Sequence, residues 1–314
     1  MPTCAARTKW VCSKKMLRPY PIDPELRRLR HVRAPMNRVF LLFSRVLLKS
    51  LPRNYDRKDL DVRKFKADGG NYHLLLPKNR TQGEPLPCLF YMHGGGFVFP
   101  SSPFQRKLVS EYAAKAGIAV IDIEYPLCPK HTHPDAALYC ATVIGQVLWN
   151  APSYGIDPNR VALGGDSAGA LLALESQLAL QKSKCPKPRC LFLVYPVTDD
   201  RMDPSLFEYL DLPGWDAGRN AIMWRYFLKG KPYESPLRRA DFIDVDRLYV
   251  EICPFDCLRD QGKLLYDALR GRVGEAVLRE PKGTFHGYDV NRKAAVTEAS
   301  MEARISFLRG LHGR

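Results

Sequence analysis

Short apolar runs recur along the chain at 88–92, 118–123, 161–163, 191–195 and 248–252, each bounded by turn-forming residues. Runs of that length without polar alternation suit strands buried on both faces of a parallel sheet. Between them, 104–116, 135–150, 168–182 and 257–270 carry helical patterns. Strand and helix in alternation predict an α/β domain built on a parallel sheet. A last strand is expected around 276–280, and 62–66 with 72–76 flank Asp68-Gly69-Gly70, a hairpin signal. The rhythm breaks over 199–234, where Leu206, Phe207, Trp215, Trp224 and Phe227 sit among turn residues. That stretch reads as an insertion.

Ahead of this domain, Val39, Leu42, Phe43, Val46 and Leu47 share one helical face within 39–51. The segment is too short to span a bilayer. Its apolar face is expected to pack on the rest of the protein, with contact at a membrane interface as the sharper alternative.

Composition changes the picture only at one end. Of 314 residues, 46% are hydrophobic and 26% charged, which excludes wholesale disorder, collagen-like repeats and coiled coil. The net charge of +15 is lopsided, because residues 1–66 hold 18 basic and 5 acidic side chains. No zinc finger, base-stacking strand or glycine-rich tract accompanies that charge, so a nucleic-acid partner is not expected. A solvated basic arm is the plain reading; weak contact with anionic membranes and an organelle import signal are the alternatives. The first twenty residues lack the apolar core of a secretory signal. Nine cysteines show neither framework nor metal-ligand spacing, so no metal site is expected and a reducing, cytoplasmic setting is.

The chemistry centres on Gly165-Asp166-Ser167-Ala168-Gly169, which follows a strand and opens a helix. This is G-x-S-x-G in the strand–turn–helix setting that lifts a serine hydroxyl to the carboxyl edge of a sheet. Upstream, His93-Gly94-Gly95-Gly96-Phe97 directly follows the 88–92 strand. Three glycines there let backbone N–H groups turn toward an oxyanion, together with the N–H after the nucleophile.

With these motifs the chain resembles the hormone-sensitive lipase family of α/β-hydrolases, in its GDSAG branch. The resemblance also rests on Tyr195-Pro196, Ser235-Pro236-Leu237, Asp256-Cys257-Leu258-Arg259-Asp260 and His286-Gly287-Tyr288, in family order. It implies a mostly parallel eight-stranded sheet flanked by helices, with a helical cap, and hydrolysis of carboxylic esters without a cofactor. The implied organisation is a basic segment with part of the cap at 1–60, core at 61–198, cap insertion at 199–234 and core again at 235–314. Carried over by position, Ser167 is the nucleophile, Asp256 the acid and His286 the base, with Asp260 a minor alternative to Asp256. Gly95, Gly96 and Ala168 would form the oxyanion hole, and His93 would tie its loop down. Phe97, Phe99, Asp166, Tyr195, Leu206, Phe207 and Trp215 are the candidate substrate pocket.

One stretch departs from the family pattern Y-R-L-A-P-E. It reads Tyr125-Pro126-Leu127-Cys128-Pro129-Lys130, losing an arginine and a glutamate. The expected function is a serine carboxylesterase acting on small-molecule esters of short to medium acyl chains. A lipase and a small-molecule deacetylase or amidase use the same chemistry. A ligand receptor on an inactive hydrolase scaffold is the alternative of another class, disfavoured because Ser167, Asp256 and His286 are all present.

Overall fold

The computed structural model describes residues 20–32, 35–51, 55–68, 70–201, 204–208 and 212–313. Residues 1–19, the amino-terminal part of the basic segment with its import-like stretch, lie outside them. Eight strands form one sheet: β1 (Leu60–Ala67), β2 (Gly70–Pro77), β3 (Leu86–Met92), β4 (Ala119–Glu124), β5 (Ile156–Asp166), β6 (Cys190–Val194), β7 (Arg247–Glu251) and β8 (Glu275–Arg279). Their order is β1-β2-β4-β3-β5-β6-β7-β8. The β1–β2 hairpin and the β2–β4 pair are antiparallel, and every later neighbour is parallel. Each expected strand forms within a few residues, β5 being longer than its apolar run.

Helices cover both faces, which is why the central strands carry no polar alternation. Along β3, Cys88, Phe90 and Met92 join one core while Leu89 and Tyr91 join the other. The first core is closed by α3 (Asp135–Trp149), α4 (Ala168–Leu180) and α7 (Arg259–Leu269); the second by α2 (Pro103–Ala116) and α8 (Ala295–Arg309). Helix α2 starts at a capping box. Ser102 Oγ accepts from the Gln105 N–H at 3.3 Å and Gln105 Oε1 accepts from the Ser102 N–H at 3.0 Å.

Helix α8 is absent from the periodicity reading. Its inward stripe interrupts Met301, Ile305 and Leu308 with a fully buried Arg304, which blurs the apolar period.

Over the carboxyl end of the sheet lie α1 (Arg38–Ser50), α5 (Pro204–Glu208) and α6 (Ala217–Leu228). The 199–234 excursion leaves and rejoins the core at one place, where the Leu237 N–H donates to the Thr198 carbonyl at 3.3 Å. Arg45 anchors α1, donating from Nε and Nη2 to the Val98 carbonyl at 3.1 Å each. The Tyr226 hydroxyl reaches the Met36 carbonyl at 3.2 Å, joining α6 to the segment that leads into α1.

The expected packing of α1 is reversed. Val39, Leu42, Phe43, Val46 and Leu47 are exposed, from 46% for Leu47 to 80% for Val39. The helix buries Leu41 and Ser44 instead, because the Arg45 anchor turns that side toward the core. Among the described residues no helix is long and apolar enough to cross a membrane.

Candidate active site

Ser167 sits at the tip between β5 and α4 with φ 53° and ψ −118°. A non-glycine residue holds such a conformation only where its surroundings impose it. Here the Ser167 N–H donates to the Val194 carbonyl at 2.9 Å, and its own carbonyl accepts from Ala170 and Val197 at 3.1 Å each. The turn passes so close to the end of β3 that a Cβ at Gly169 would fall on the Met92 carbonyl. This close approach explains the last glycine of the motif.

Two further loops supply the partners. Past β7 and β8 the pairing continues through Phe255 and Phe285, with the Phe255 N–H donating to the Thr284 carbonyl at 3.1 Å. That bridge brings together Asp256 and His286, thirty residues apart in the chain. His286 Nδ1 lies 2.7 Å from Asp256 Oδ2, and His286 Nε2 lies 2.8 Å from Ser167 Oγ. The other carboxylate oxygen of Asp256 accepts from the Leu258 N–H at 2.9 Å, fixing the ring-facing one. Asp260 takes no part, being paired with Arg259 at 2.8 Å. A serine, an imidazole and a buried carboxylate in this line form a path for moving a proton off the serine.

The glycine loop lies alongside. Gly95 has φ 117°, a region in which side chains are strained, and its carbonyl accepts from Val98 and Phe99 at 3.1 and 3.0 Å. Among the described residues the N–H groups of Gly95 and Gly96 meet no protein acceptor, and Ala168 opens α4, where first-turn N–H groups have no intrahelical partner. Three donors are thus left for an oxyanion.

His93 fixes this loop. Its Nδ1 lies 2.7 Å from the Gly94 carbonyl, its ring stacks on Tyr125 at 4.4 Å, and the Tyr125 hydroxyl donates to the His93 carbonyl at 2.6 Å. Burial pushes the His93 imidazole down to about 4, opposed by the bond to Gly94 and aided by the charge of Arg106. The unfolded chain takes up a proton near the ordinary value of 6.5. Between those values the unfolded state binds more protons. The stability that neutral His93 contributes is therefore complete above pH 6.5 and disappears as pH falls toward 4, on the order of 3 kcal/mol in all. Urea unfolding at pH 7.5 and 4.5 should show a larger loss for the wild type than for His93→Gln. Equal losses would remove His93 as their source.

The candidate pocket residues divide. Trp215 packs against Gly96, with its ring 6.0 Å from that of His286, and Phe99 is half-buried edge-on to Phe40 at 6.4 Å. Trp215 thus stands beside His286, and Phe99 lies against the glycine loop, where a Cβ at Gly95 would meet it. Phe97, Asp166, Tyr195 and Leu206 are buried and engaged with the protein. Phe97 stacks on Phe227 at 4.1 Å, and Leu206 belongs to the core under the short helix α5. Asp166 Oδ1 accepts from the Tyr91 hydroxyl and the Gly94 N–H at 2.8 Å each, and Gln105 Nε2 reaches Oδ2 at 3.1 Å. Burial raises the Asp166 carboxyl while the Tyr91 and Gly94 bonds oppose it. Asp166 thus ties the glycine loop to the serine turn. Tyr195 lies beside the base, with rings 4.7 Å apart, and donates to Asp289 Oδ1 at 2.9 Å. The side chain of Phe207 lies outside the described residues. Tyr91 and Gln105 carry no sequence signal for their part in the loop, since one reads as core and the other as helix cap.

No group of three or more ligating side chains suited to a metal occurs among the described residues.

A sequence profile of the alpha/beta hydrolase fold family matches residues 89–290. The chain is 28% identical over 282 residues to esterase LipI of Mycobacterium tuberculosis, covering 85% of this chain and 87% of that protein. It is 28% identical over 210 residues to an acetyl esterase of Salmonella paratyphi A, spanning 64% of each, slightly under two thirds of that relative. Among solved structures, a bacterial heroin esterase superposes with a TM-score of 0.75 at 27% identity, covering 93% of this chain and 98% of that one. Esterase LipW of Mycobacterium marinum shares the fold with a TM-score of 0.84 at 23% identity, over 94% and 97% of the two chains.

Proposed function

Because this chain belongs to the alpha/beta hydrolase fold family of hormone-sensitive lipase-like esterases, and is accordingly a carboxylic ester hydrolase, we propose that it cleaves short- to medium-chain esters through an acyl intermediate on Ser167. The observation that carries this reading is the continuous path from Ser167 Oγ through His286 to Asp256, at 2.8 and 2.7 Å.

In the proposed reaction His286 Nε2 takes the Ser167 proton as Oγ bonds to the ester carbonyl carbon. The carbonyl electron pair moves onto oxygen, where the Gly95, Gly96 and Ala168 amides hold the charge. Collapse re-forms the carbonyl and breaks the bond to the alcohol oxygen, which leaves with the proton from His286. Water then repeats the sequence against the acyl-serine, releasing the acid and returning the proton to Ser167. Asp256 orients the imidazole and stabilises its charged form.

Preference for shorter acyl chains is supported by the Trp215 ring lying 6.0 Å from that of His286, and by relatives named acetyl esterase. Turnover of p-nitrophenyl esters from acetate to palmitate tests it. Rates should peak at or below medium chains, whereas a palmitate maximum would make the enzyme a lipase. Diethyl p-nitrophenyl phosphate should leave one phosphoryl adduct on the peptide that holds Ser167. An adduct on any other residue overturns the proposed nucleophile.

A further inference from the structure

Where the chain departs from the family stretch at Pro126 and Lys130, a cavity of about 420 Å³ opens behind the glycine loop. Its lining includes Arg45, His93, Arg106, Tyr125, Leu127 and Lys130, and none of Ser167, Asp256 or His286. Glu124 alone among the described lining residues is acidic, against the fixed positive charges of Arg45, Arg106 and Lys130.

Arg106 is the unusual member. Its side chain is buried at 2% exposure, and Nη2 donates to the Ser101 carbonyl at 2.9 Å. Its Nε and Nη1 are buried without a protein partner, as is the neighbouring Ser101 hydroxyl. No carboxylate among the described residues pairs with it; Asp122 acts on it only from beyond ion-pair distance. Burial raises the Asp122 carboxyl to about 7, opposed by the Tyr55 hydroxyl that donates to Oδ2 at 2.7 Å. A buried guanidinium with unused donors is costly unless a negative group meets it, and carboxylates and phosphates fit its planar array of N–H groups.

We propose that this cavity binds a small organic anion, a carboxylate or a phosphate monoester, whose charge is met by Arg106 with Lys130 adding attraction from the loop. The volume exceeds that of a bare oxyanion, and Pro126 and Leu127 offer apolar surface to an organic body. The wall shared with His93 and Tyr125 makes the site a neighbour of the oxyanion loop. The site stands independently of which residue is the nucleophile, because it is read out by binding.

Isothermal titration of the full chain with phenyl phosphate, benzoate, inorganic phosphate and benzyl alcohol tests it. Phenyl phosphate or benzoate should bind saturably at one site per chain, inorganic phosphate more weakly and benzyl alcohol not at all. The tighter of the first two identifies the charged group. Lys130→Glu, a loop substitution expected to keep the wild-type melting temperature, should weaken that binding by about tenfold. Arg106→Gln should abolish it, and if that variant does not fold, Lys130→Glu decides. Absence of binding by either organic anion overturns the proposal. So does binding that the folded variants leave unchanged, or benzyl alcohol binding as tightly as benzoate.

Discussion

Ser167→Ala should lower kcat/KM for p-nitrophenyl acetate by roughly 10⁴- to 10⁶-fold, the range expected when the nucleophile of a hydrolase triad is removed. The variant retains the loop amides and substrate contacts, so residual turnover reflects oxyanion stabilisation and binding alone. Its fold should change little, because the backbone bonds that hold the turn come from the Ser167 N–H and carbonyl, not from Oγ. Removing His286 should cost a similar factor. The Ser167→Ala/His286→Ala double variant should be hardly worse than either single one, since the two groups act as one proton path. A Ser167→Ala variant that keeps a substantial fraction of wild-type activity, or costs that multiply in the double variant, would refute the mechanism.

The largest loss of stability should come from Arg304→Met. Arg304 is fully buried and bonds two carboxylates: Glu251 through Nη2 and through Nε at 3.1 Å, and Asp289 through Nη1 at 2.7 Å. Burial alone would lower its pKa, but the nearby Glu251, Tyr112 and Asp289 hold it well above the ordinary arginine value. Tyr249 and Tyr288 donate to Glu251 at 2.9 Å each, and Tyr195 donates to Asp289. Methionine would fill the space while leaving two buried carboxylates without their cation. Breaking a buried pair on one side costs about 3–5 kcal/mol, a large share of the roughly 5–15 kcal/mol that holds a domain together. Urea unfolding at pH 7.5 should show a loss of that size. Adding Glu251→Gln and Asp289→Asn to the methionine variant should recover part of it, because neutral amides need no counter-charge. A methionine variant as stable as the wild type would mean that the network contributes nothing. The same network reaches the base through Tyr195, so a surviving fraction of Arg304→Met should also show reduced kcat.

The core strands and the serine turn were legible because local pattern and tertiary environment agree on them. Each run such as 88–92 is apolar throughout since both its faces are covered, and the elbow glycines sit where β3 and α4 nearly touch. Other features escaped because their meaning depends on a distant partner. The apolar stripe of α1 predicts an inward face, yet one hydrogen-bonded arginine turns that stripe outward. Asp166 reads as a pocket residue from its place beside the nucleophile, but three donors from β3, the glycine loop and α2 bury its carboxylate.

By itself the sequence determined the class of sheet and the strand–turn–helix setting of Ser167, since these follow from the spacing of apolar runs and from residue types, whereas Asp256 and His286 stood out only through the family resemblance. Only the tertiary structure decided which side chains stand beside that chemistry and which hold it up from below. Burial and hydrogen-bond partners are properties of neighbours in space, and the neighbours of Asp166, Tyr195 and Arg304 lie tens to hundreds of residues away in the chain.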